Sequence, residues 1–117
     1  MPFIKVATNL PRASFVANNV LKAFSTSLTS VLATHEKAVM VQLEFDQDLI
    51  LSGSTEPCAF INVRTIGKID PEHNPKTYEA LSATVLEQLN IPANRIFFNL
   101  DDIQANNWGY DAKPVGA

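Results

Sequence analysis

Cysteine and histidine are scarce in this sequence of 117 residues, which has one cysteine, Cys58, and two histidines. A single cysteine excludes an intrachain disulfide, a Cys-x-x-Cys redox pair and a zinc knuckle. His35 and His73 have no cluster of cysteines or carboxylates around them, so the sequence does not indicate a metal site. We therefore expect a protein with no metal and no other cofactor.

Charged residues are also few, at 18% of the chain against 46% hydrophobic residues, and the net charge is −3. With a mean hydropathy of +0.03, this composition excludes a disordered chain. An acidic balance offers no positive field for nucleic-acid phosphates or anionic lipid, so we expect neither nucleic acid nor membrane as a partner. Too few charges to cover the surface of a small domain indicate self-association.

Long hydrophobic runs are missing, and none approaches the roughly 18 apolar residues that a membrane span needs. The first residues, Met1 to Val6, lack the basic region and apolar core of a secretory signal. We expect one domain, residues 1–117, that is cytoplasmic and has no signal peptide. Leaderless secretion is left open.

Two halves of the chain repeat one pattern at a constant offset. Ile-x-Val-x-Thr occurs at 4–8 and again at 61–65, and both stretches have the alternation and β-branching of strands. The same offset relates the alternating stretch 39–43 to 96–100. Apolar residues at helical spacing lie between the strands of each pair: Val16, Val20, Phe24, Leu28 and Val31, then Tyr78, Leu81, Val85 and Leu89. The pattern predicts two β-α-β pseudo-repeats, at about 2–52 and 58–109.

Turn residues support this division. Ser52 to Pro57 is the densest turn signal and predicts the connection between the halves. Asn74 is predicted as the N-cap of the second helix, with Pro75 at its first position, and Asn90-Ile91-Pro92 is expected to end that helix. Asp101-Asp102 is predicted to end the last strand and is interpreted as a solvated turn.

The predicted fold class is α/β, with a four-stranded mixed sheet and two helices on one face. Helical crossovers of this length imply parallel strand pairing within each half. The second face of the sheet has no cover from the chain itself, which also predicts an oligomer. Residues 103–117 are too few for a further repeat, but they can add a short strand to a neighbour.

Five sequence strings in order carry a resemblance to a known family. They are Pro2 directly after Met1, Asn9–Ser14, Ser52–Ala59, Ile66–Ile69 and Ile91–Ile96. Together they resemble the macrophage migration inhibitory factor (MIF) family of the tautomerase superfamily, from Pro2 to about Tyr110. The tail, 111–117, departs from the usual ending of the family.

The resemblance implies a MIF-like fold, a homotrimer and an isomerase. The implied activity is keto-enol tautomerisation of phenylpyruvate-like and dopachrome-like compounds, which are small aromatic substrates. It also implies cytokine-like roles, and with them a receptor. The implied pocket lies between subunits, with the amino-terminal proline as acid-base catalyst.

Pro2 has the chemistry that this role requires. An amine at a chain terminus has a pKa near 8, and burial or a positive neighbour lowers that pKa, which leaves a neutral base at pH 7. Such a base suits proton abstraction next to a carbonyl. The role requires removal of Met1, because the Pro2 nitrogen is otherwise an amide without basicity.

The resemblance also implies substrate contacts. The backbone N–H of Ile66 would hold a substrate carboxylate, and Asn99 of the adjacent subunit would donate a hydrogen bond. Phe97 would form an apolar wall where the family often has tyrosine. Trp108 and Tyr110 would close the pocket, or pack at the trimer interface instead.

The sequence departs from the family at Thr34, where a lysine commonly binds the substrate carboxylate. A hydroxyl does not supply that charge. Arg64 is predicted as the replacement anchor, because alternation along the strand places it on the same face as Ile66. Lys37, three residues after Thr34, is the second candidate.

Two other functions stay open from the sequence. The β-α-β-β-α-β order is also that of a ferredoxin-like RNA-binding module, although the central strands offer few aromatic and basic residues. Alternatively, the chain is a trimeric signalling or scaffold protein whose pocket has lost catalysis, which Thr34 supports.

Overall fold

The computed structural model describes residues 1–115 and contains two helices and a four-stranded sheet. The elements in chain order are β1 (Phe3–Thr8), α1 (Ala17–Val31), β2 (Met40–Glu44), β3 (Ala59–Thr65), α2 (Asn74–Leu89), β4 (Ile96–Asp102), β5 (Gly109–Tyr110) and β6 (Lys113–Pro114). Short 3-10 turns precede β2 and β4. No helix within residues 1–115 is long and apolar enough to cross a membrane.

The sheet has the strand order β2-β1-β3-β4. β1 is parallel to β2, β3 is parallel to β4, and the two halves meet where β1 runs antiparallel to β3. The predicted α/β fold class is confirmed. In a ferredoxin-like split β-α-β unit, another strand separates the two that a helix connects. Here those strands are direct neighbours, so the topology does not favour the RNA-binding module.

The core lies between the sheet and the two helices. Along β3, Ala59, Ile61, Val63 and Thr65 are buried, whereas the residues between them face the other side. The helices cover this face with side chains that are fully buried, among them Phe24, Leu28, Leu81 and Val85. Burying one such side chain contributes roughly 1.5 to 3 kcal/mol.

The opposite face of the sheet has no cover within residues 1–115. Met40, Phe60 and Phe97 on this face are 66%, 43% and 63% exposed. Phe60 and Phe97 are register partners on β3 and β4, so the two rings lie side by side. We call this surface, formed by the outward residues of β1 to β4, the open face.

The start of α2 corrects one prediction. Asn74 is the first residue of the helix rather than its N-cap, and its side chain accepts a hydrogen bond from the Asp70 N–H at 3.1 Å. Asp70 shapes the turn instead, since its carboxylate accepts hydrogen bonds from the backbone N–H groups of Glu72 and His73. The predicted end of the helix is confirmed, with Asn90 in the left-handed conformation at φ 56°.

Arg95 holds the connection between the halves. Its guanidinium donates hydrogen bonds to the carbonyls of Leu51, Ser54, Glu56 and Pro57 at 2.8 to 3.3 Å. The connection between the halves therefore folds against the beginning of β4 through one side chain.

The tail forms a small hairpin of β5 and β6, with Asp111 and Ala112 at positive φ in its turn. The backbone N–H of Val115 donates to the Trp108 carbonyl at 2.8 Å and continues the pairing. The strand expected in a neighbouring subunit stays a prediction, and residues 116–117 lie outside the described part of the chain.

Candidate active site

Pro2 lies at one edge of the sheet, where several chain segments meet. β1 and β2 are parallel and both start here, and β3 runs antiparallel to them and ends here. α1 returns the chain from the end of β1 to the start of β2, so it also ends at this edge. The Met40 N–H donates to the Pro2 carbonyl at 3.1 Å, and Pro2 is less than 2% exposed. We call this the amino-terminal edge.

A cleft of about 480 Å³ opens beside Pro2. It is lined by Met1, Pro2, Phe3, Lys37, Ala38, Val39, Met40, Asn107, Trp108, Gly109 and Tyr110. Ligand pockets have volumes of about 300 to 1,000 Å³, so the cleft is large enough for a small aromatic molecule. The fold thus brings four of the residues named from the sequence, Pro2, Lys37, Trp108 and Tyr110, to one cleft.

The loop after β3 lies beside the amino terminus. Phe3 pairs with Arg64, and continuing this antiparallel register places Pro2 opposite Thr65 and Met1 opposite Ile66. The loop itself is tight, with Gly67 and Lys68 at φ 77° and 62°.

The end of β4 fixes this loop. The Asp102 carboxylate accepts a hydrogen bond from the Gly67 N–H at 3.0 Å, and the Ile103 N–H donates to the Thr65 carbonyl at 2.8 Å. The prediction that Asp101-Asp102 ends a strand is confirmed, but the interpretation of the pair as a turn is wrong. Both residues belong to β4, and Asp102 holds the loop that carries Ile66.

The loop sends the Lys68 side chain to the end of α1. Its ammonium donates hydrogen bonds to the carbonyl of Leu32 and, at 3.5 Å, to the carbonyl of Ala33. A cation at this position also interacts favourably with the negative end of the helix dipole. The ammonium of Lys68 thus contacts Ala33, the residue directly before Thr34. Thr34 is the position at which the sequence lacks the expected lysine.

The pKa of the terminal amine is affected by its surroundings at this edge. Its burial, and in second place the positive charge of Lys68, lower the pKa of the Met1 ammonium below its ordinary value. Both causes disfavour the protonated amine. An amine at this edge is therefore shifted toward the neutral form that a base requires.

Arg64, Asn99 and Phe97 lie on the open face and, unlike Met40 of the same face, are not among the residues that line the cleft. The same holds for Thr34, Ile66 and Lys68, which lie outside the cleft lining. The Arg64 Nε donates to Asn62 at 3.1 Å and lies 3.7 Å from a carboxylate oxygen of Asp101. Asn99 donates to the same carboxylate at 3.2 Å. One subunit does not bring these side chains to Pro2, and their roles in the pocket stay predictions, as do those of Ile66 and Thr34.

Sequence reasoning missed Lys68 and the cleft residue Asn107. Lys68 belongs to the string Ile66–Ile69, but a lysine after a glycine has no pattern that tells where its side chain goes. Only the contact with Leu32, which is 36 residues away, identifies its place. Asn107 is the last residue of a 3-10 turn that lies directly before Trp108. No pattern in the sequence predicted this turn.

Residues that suggest metal or thiol chemistry do not form a second site in the described chain. Within residues 1–115, no three histidine, cysteine, aspartate or glutamate side chains are close enough to hold a metal ion. His73 pairs with Asp70, with Nδ1 at 2.8 Å from the carboxylate, and Cys58 is buried.

Comparison with known proteins places this geometry in a family. The family model "Macrophage migration inhibitory factor (MIF)" matches residues 1–116. Macrophage migration inhibitory factor of Xenopus laevis is 34% identical over 112 residues, which cover 95% of this chain and 96% of that protein. A homolog from Brugia malayi is 28% identical over 116 residues, covering 99% of this chain and 100% of its own length.

Solved structures agree with the sequence comparisons. The macrophage migration inhibitory factor homologue from Prochlorococcus marinus has a TM-score of 0.89 at 30% identity and covers 97% of this chain and 99% of its own. The corresponding protein of Trichinella spiralis has a TM-score of 0.89 at 25% identity, covering 95% and 97%. Since the family model and these relatives span nearly the whole chain, the chain belongs to the macrophage migration inhibitory factor family.

Proposed function

We propose that this protein is a keto-enol tautomerase of the phenylpyruvate or dopachrome type, with the Pro2 amine as acid-base catalyst after removal of Met1. Membership of the family supports an isomerase in general. The observation that carries the specific proposal is the position of Pro2, which is buried at the start of β1 in the wall of a cleft of about 480 Å³.

The reaction moves one proton and changes no atom count. The neutral amine takes a proton from the carbon next to the substrate carbonyl, and the C–H electron pair becomes the C=C bond of the enol. The carbonyl π electron pair moves to oxygen, which accepts a proton from the Pro2 ammonium directly or through water, so the amine is neutral again; the reverse sequence regenerates the ketone. A base near neutral pKa supports both directions at pH 7.

The proposal includes a homotrimer. The exposed apolar side chains of the open face support it, because an apolar surface of this kind in a small domain is typically covered by association. In a trimer, Asn99 and Phe97 would approach the cleft of a neighbour, and Ile66, Trp108 and Tyr110 would come from the subunit that supplies Pro2. A receptor is a further proposal that follows from the family resemblance. Cytoplasmic localisation is proposed from the missing secretory signal, and leaderless secretion stays open.

The decisive experiment measures phenylpyruvate tautomerisation of protein whose amino terminus has been identified by mass spectrometry. We expect the form that begins at Pro2 to be active and the form that retains Met1 to be inactive. Pro2→Ala keeps a terminal amine but changes its basicity and rigidity, so its kcat/KM should fall. Pro11→Ala, an exposed proline outside the cleft, is the matched control and should keep full activity. Unchanged activity in Pro2→Ala or in the Met1 form would refute the proposed base.

The second candidate function is a trimeric signalling or scaffold protein without catalysis. Thr34 favours it, because the turn after α1 offers a hydroxyl where a positive charge would bind the substrate. A trimer that is inactive even with a free Pro2 amine would support this candidate.

A further inference from the structure

A substrate that carries a carboxylate needs a positive charge close to the base, and three side chains are candidates. Arg64 and Lys37 were predicted from the sequence, and Lys68 is added by the structure. The three differ in what already binds them and in where their charge lies.

Arg64 is the candidate whose charge is already compensated. Asp101 lies 3.7 Å from its Nε, and Asn62 accepts a hydrogen bond from the same atom. A substrate carboxylate would have to compete with Asp101 for the guanidinium.

Lys37 lines the cleft but is not held in place. It is exposed, and within residues 1–115 none of the ion pairs includes it. Fixing a free lysine side chain on a substrate costs rotamer entropy, which lowers the affinity for that substrate.

The side chain of Lys68 is held by hydrogen bonds and still has an N–H donor free for a ligand. An ammonium has three N–H donors, and two acceptors, the Leu32 and Ala33 carbonyls, are given by α1. One donor therefore remains for a ligand. Among residues 1–115, no carboxylate forms an ion pair with Lys68, so its charge is not neutralised by a neighbour.

The position of Lys68 relative to the amine completes the argument. The loop 66–68 continues from β3 opposite the amino terminus, and the Asp102 contact to Gly67 holds it there. The positive charge of Lys68 also contributes, after burial as the larger cause, to the lowered pKa of the Met1 ammonium at this edge. A carboxylate bound between Lys68 and the Ile66 N–H would lie at the amino-terminal edge, on which Pro2 also lies.

We infer that Lys68, and not Arg64 or Lys37, is the main side-chain anchor for the substrate carboxylate in this protein. The inference rests on the proposed tautomerase function, and it names the residue that would bind the carboxylate of the substrate. The long side chain of Lys68, anchored on the end of α1, would thus supply the charge that Thr34 lacks.

The test compares Lys68→Met with the wild type on phenylpyruvate and on its methyl ester. Methionine keeps the length and apolar part of the side chain but removes the charge. We expect kcat/KM for phenylpyruvate to fall by about tenfold to a hundredfold, mostly through KM, and the value for the ester to change little. Lys22→Met, an exposed lysine on α1, is the matched control and should leave both values unchanged. Lys68→Arg keeps the charge and should retain discrimination for the acid over the ester.

Several results of this comparison of variants would overturn the inference. An equal loss on acid and ester would show that Lys68 only supports the end of α1. No loss in Lys68→Met, or a carboxylate-specific loss in Arg64→Ala or Lys37→Ala instead, would also overturn it.

A binding measurement separates this inference from the proposed function. If the wild type shows no Pro2-dependent turnover, the proposed function fails, and the dissociation constant of 3-phenylpropionate, an unreactive aryl carboxylate, then decides about Lys68. Binding weakened at least tenfold by Lys68→Met would support the anchor. Unchanged binding would overturn it.

Discussion

The Asp102 carboxylate accepts a hydrogen bond from the Gly67 backbone N–H at 3.0 Å, which connects the end of β4 to the loop after β3. Gly67 and Lys68 both adopt positive φ, so the loop needs a partner that holds this conformation. The sequence indicates no functional role for Asp102, yet its contact with Gly67 positions the loop that carries Ile66 and Lys68.

Removing this contact should affect activity more than stability. In Asp102→Ala we expect a several-fold fall in kcat/KM for phenylpyruvate, and a loss of about 1 kcal/mol in the free energy of unfolding because the bond lies at the surface. Steady-state kinetics and urea unfolding measure the two effects. Asp102→Asn keeps an oxygen acceptor, and a loss as large as that of alanine would show that the hydrogen bond is not the cause.

Arg95 should be one of the most sensitive polar residues for stability. Its four backbone contacts depend on the planar, forked guanidinium, which a lysine does not reproduce. We expect Arg95→Lys to lower the free energy of unfolding by about 2 to 3 kcal/mol, measured by chemical denaturation. Arg12→Lys, at an exposed position in the loop before α1, is the control. A change in Arg95→Lys no larger than in this control would contradict the assigned role.

Asp70 should make stability depend on pH. Hydrogen bonding from the His73 backbone N–H, and then contact with the His73 side chain, lowers the pKa of Asp70 in the folded state. The resulting stabilisation is present above the unfolded pKa of the carboxyl and is lost as the pH falls through the lowered folded value. Asp70→Ala should therefore lower the urea midpoint at pH 7 and have less effect at about pH 2. An equal effect at both pH values would contradict a role for the ionised carboxylate.

The open face should control assembly. We expect sedimentation to show the wild type at about three times the 12.8 kDa of one chain. Phe97→Asp should shift this mass toward the monomer, because it places a carboxylate among apolar side chains in the interface. Leu86→Asp changes a residue of α2 that is 54% exposed on the helix side, and it should leave the trimer intact. A monomeric wild type, or a trimeric Phe97→Asp, would refute the proposed interface.

The sequence predicted the fold well because periodicity follows directly from backbone geometry. Alternation at 4–8 and 61–65 and helical spacing from Val16 and from Tyr78 gave the two β-α-β units, and both are present. The N-cap of α2 was harder to predict, since Asn74 is a good capping residue but is the first residue of the helix, and His73 is the N-cap. Which residue takes this position depends on backbone angles that the sequence does not contain.

The candidate site also has one part that the sequence predicted and one part that it did not. The role of Pro2 was expected from the family resemblance, and the chemistry of a secondary amine at the chain terminus agrees with that role; neither needs tertiary information. The sequence did not predict which cation lies near this amine. Alternation along a strand gives only the face on which Arg64 lies, and the structure sets its charge next to Asp101.

What the sequence by itself determined is the pair of repeats, their β-α-β order and the unusual chemistry of the amino terminus, because each depends on neighbours along the chain. Only the tertiary structure decided that Lys68 reaches the end of α1 and that Asp102 holds Gly67. These contacts join residues about 35 positions apart, and a hydrogen bond depends on distances within a few tenths of an ångström. Distances of that kind are set by how the strands and helices pack, and no local pattern of residues records them.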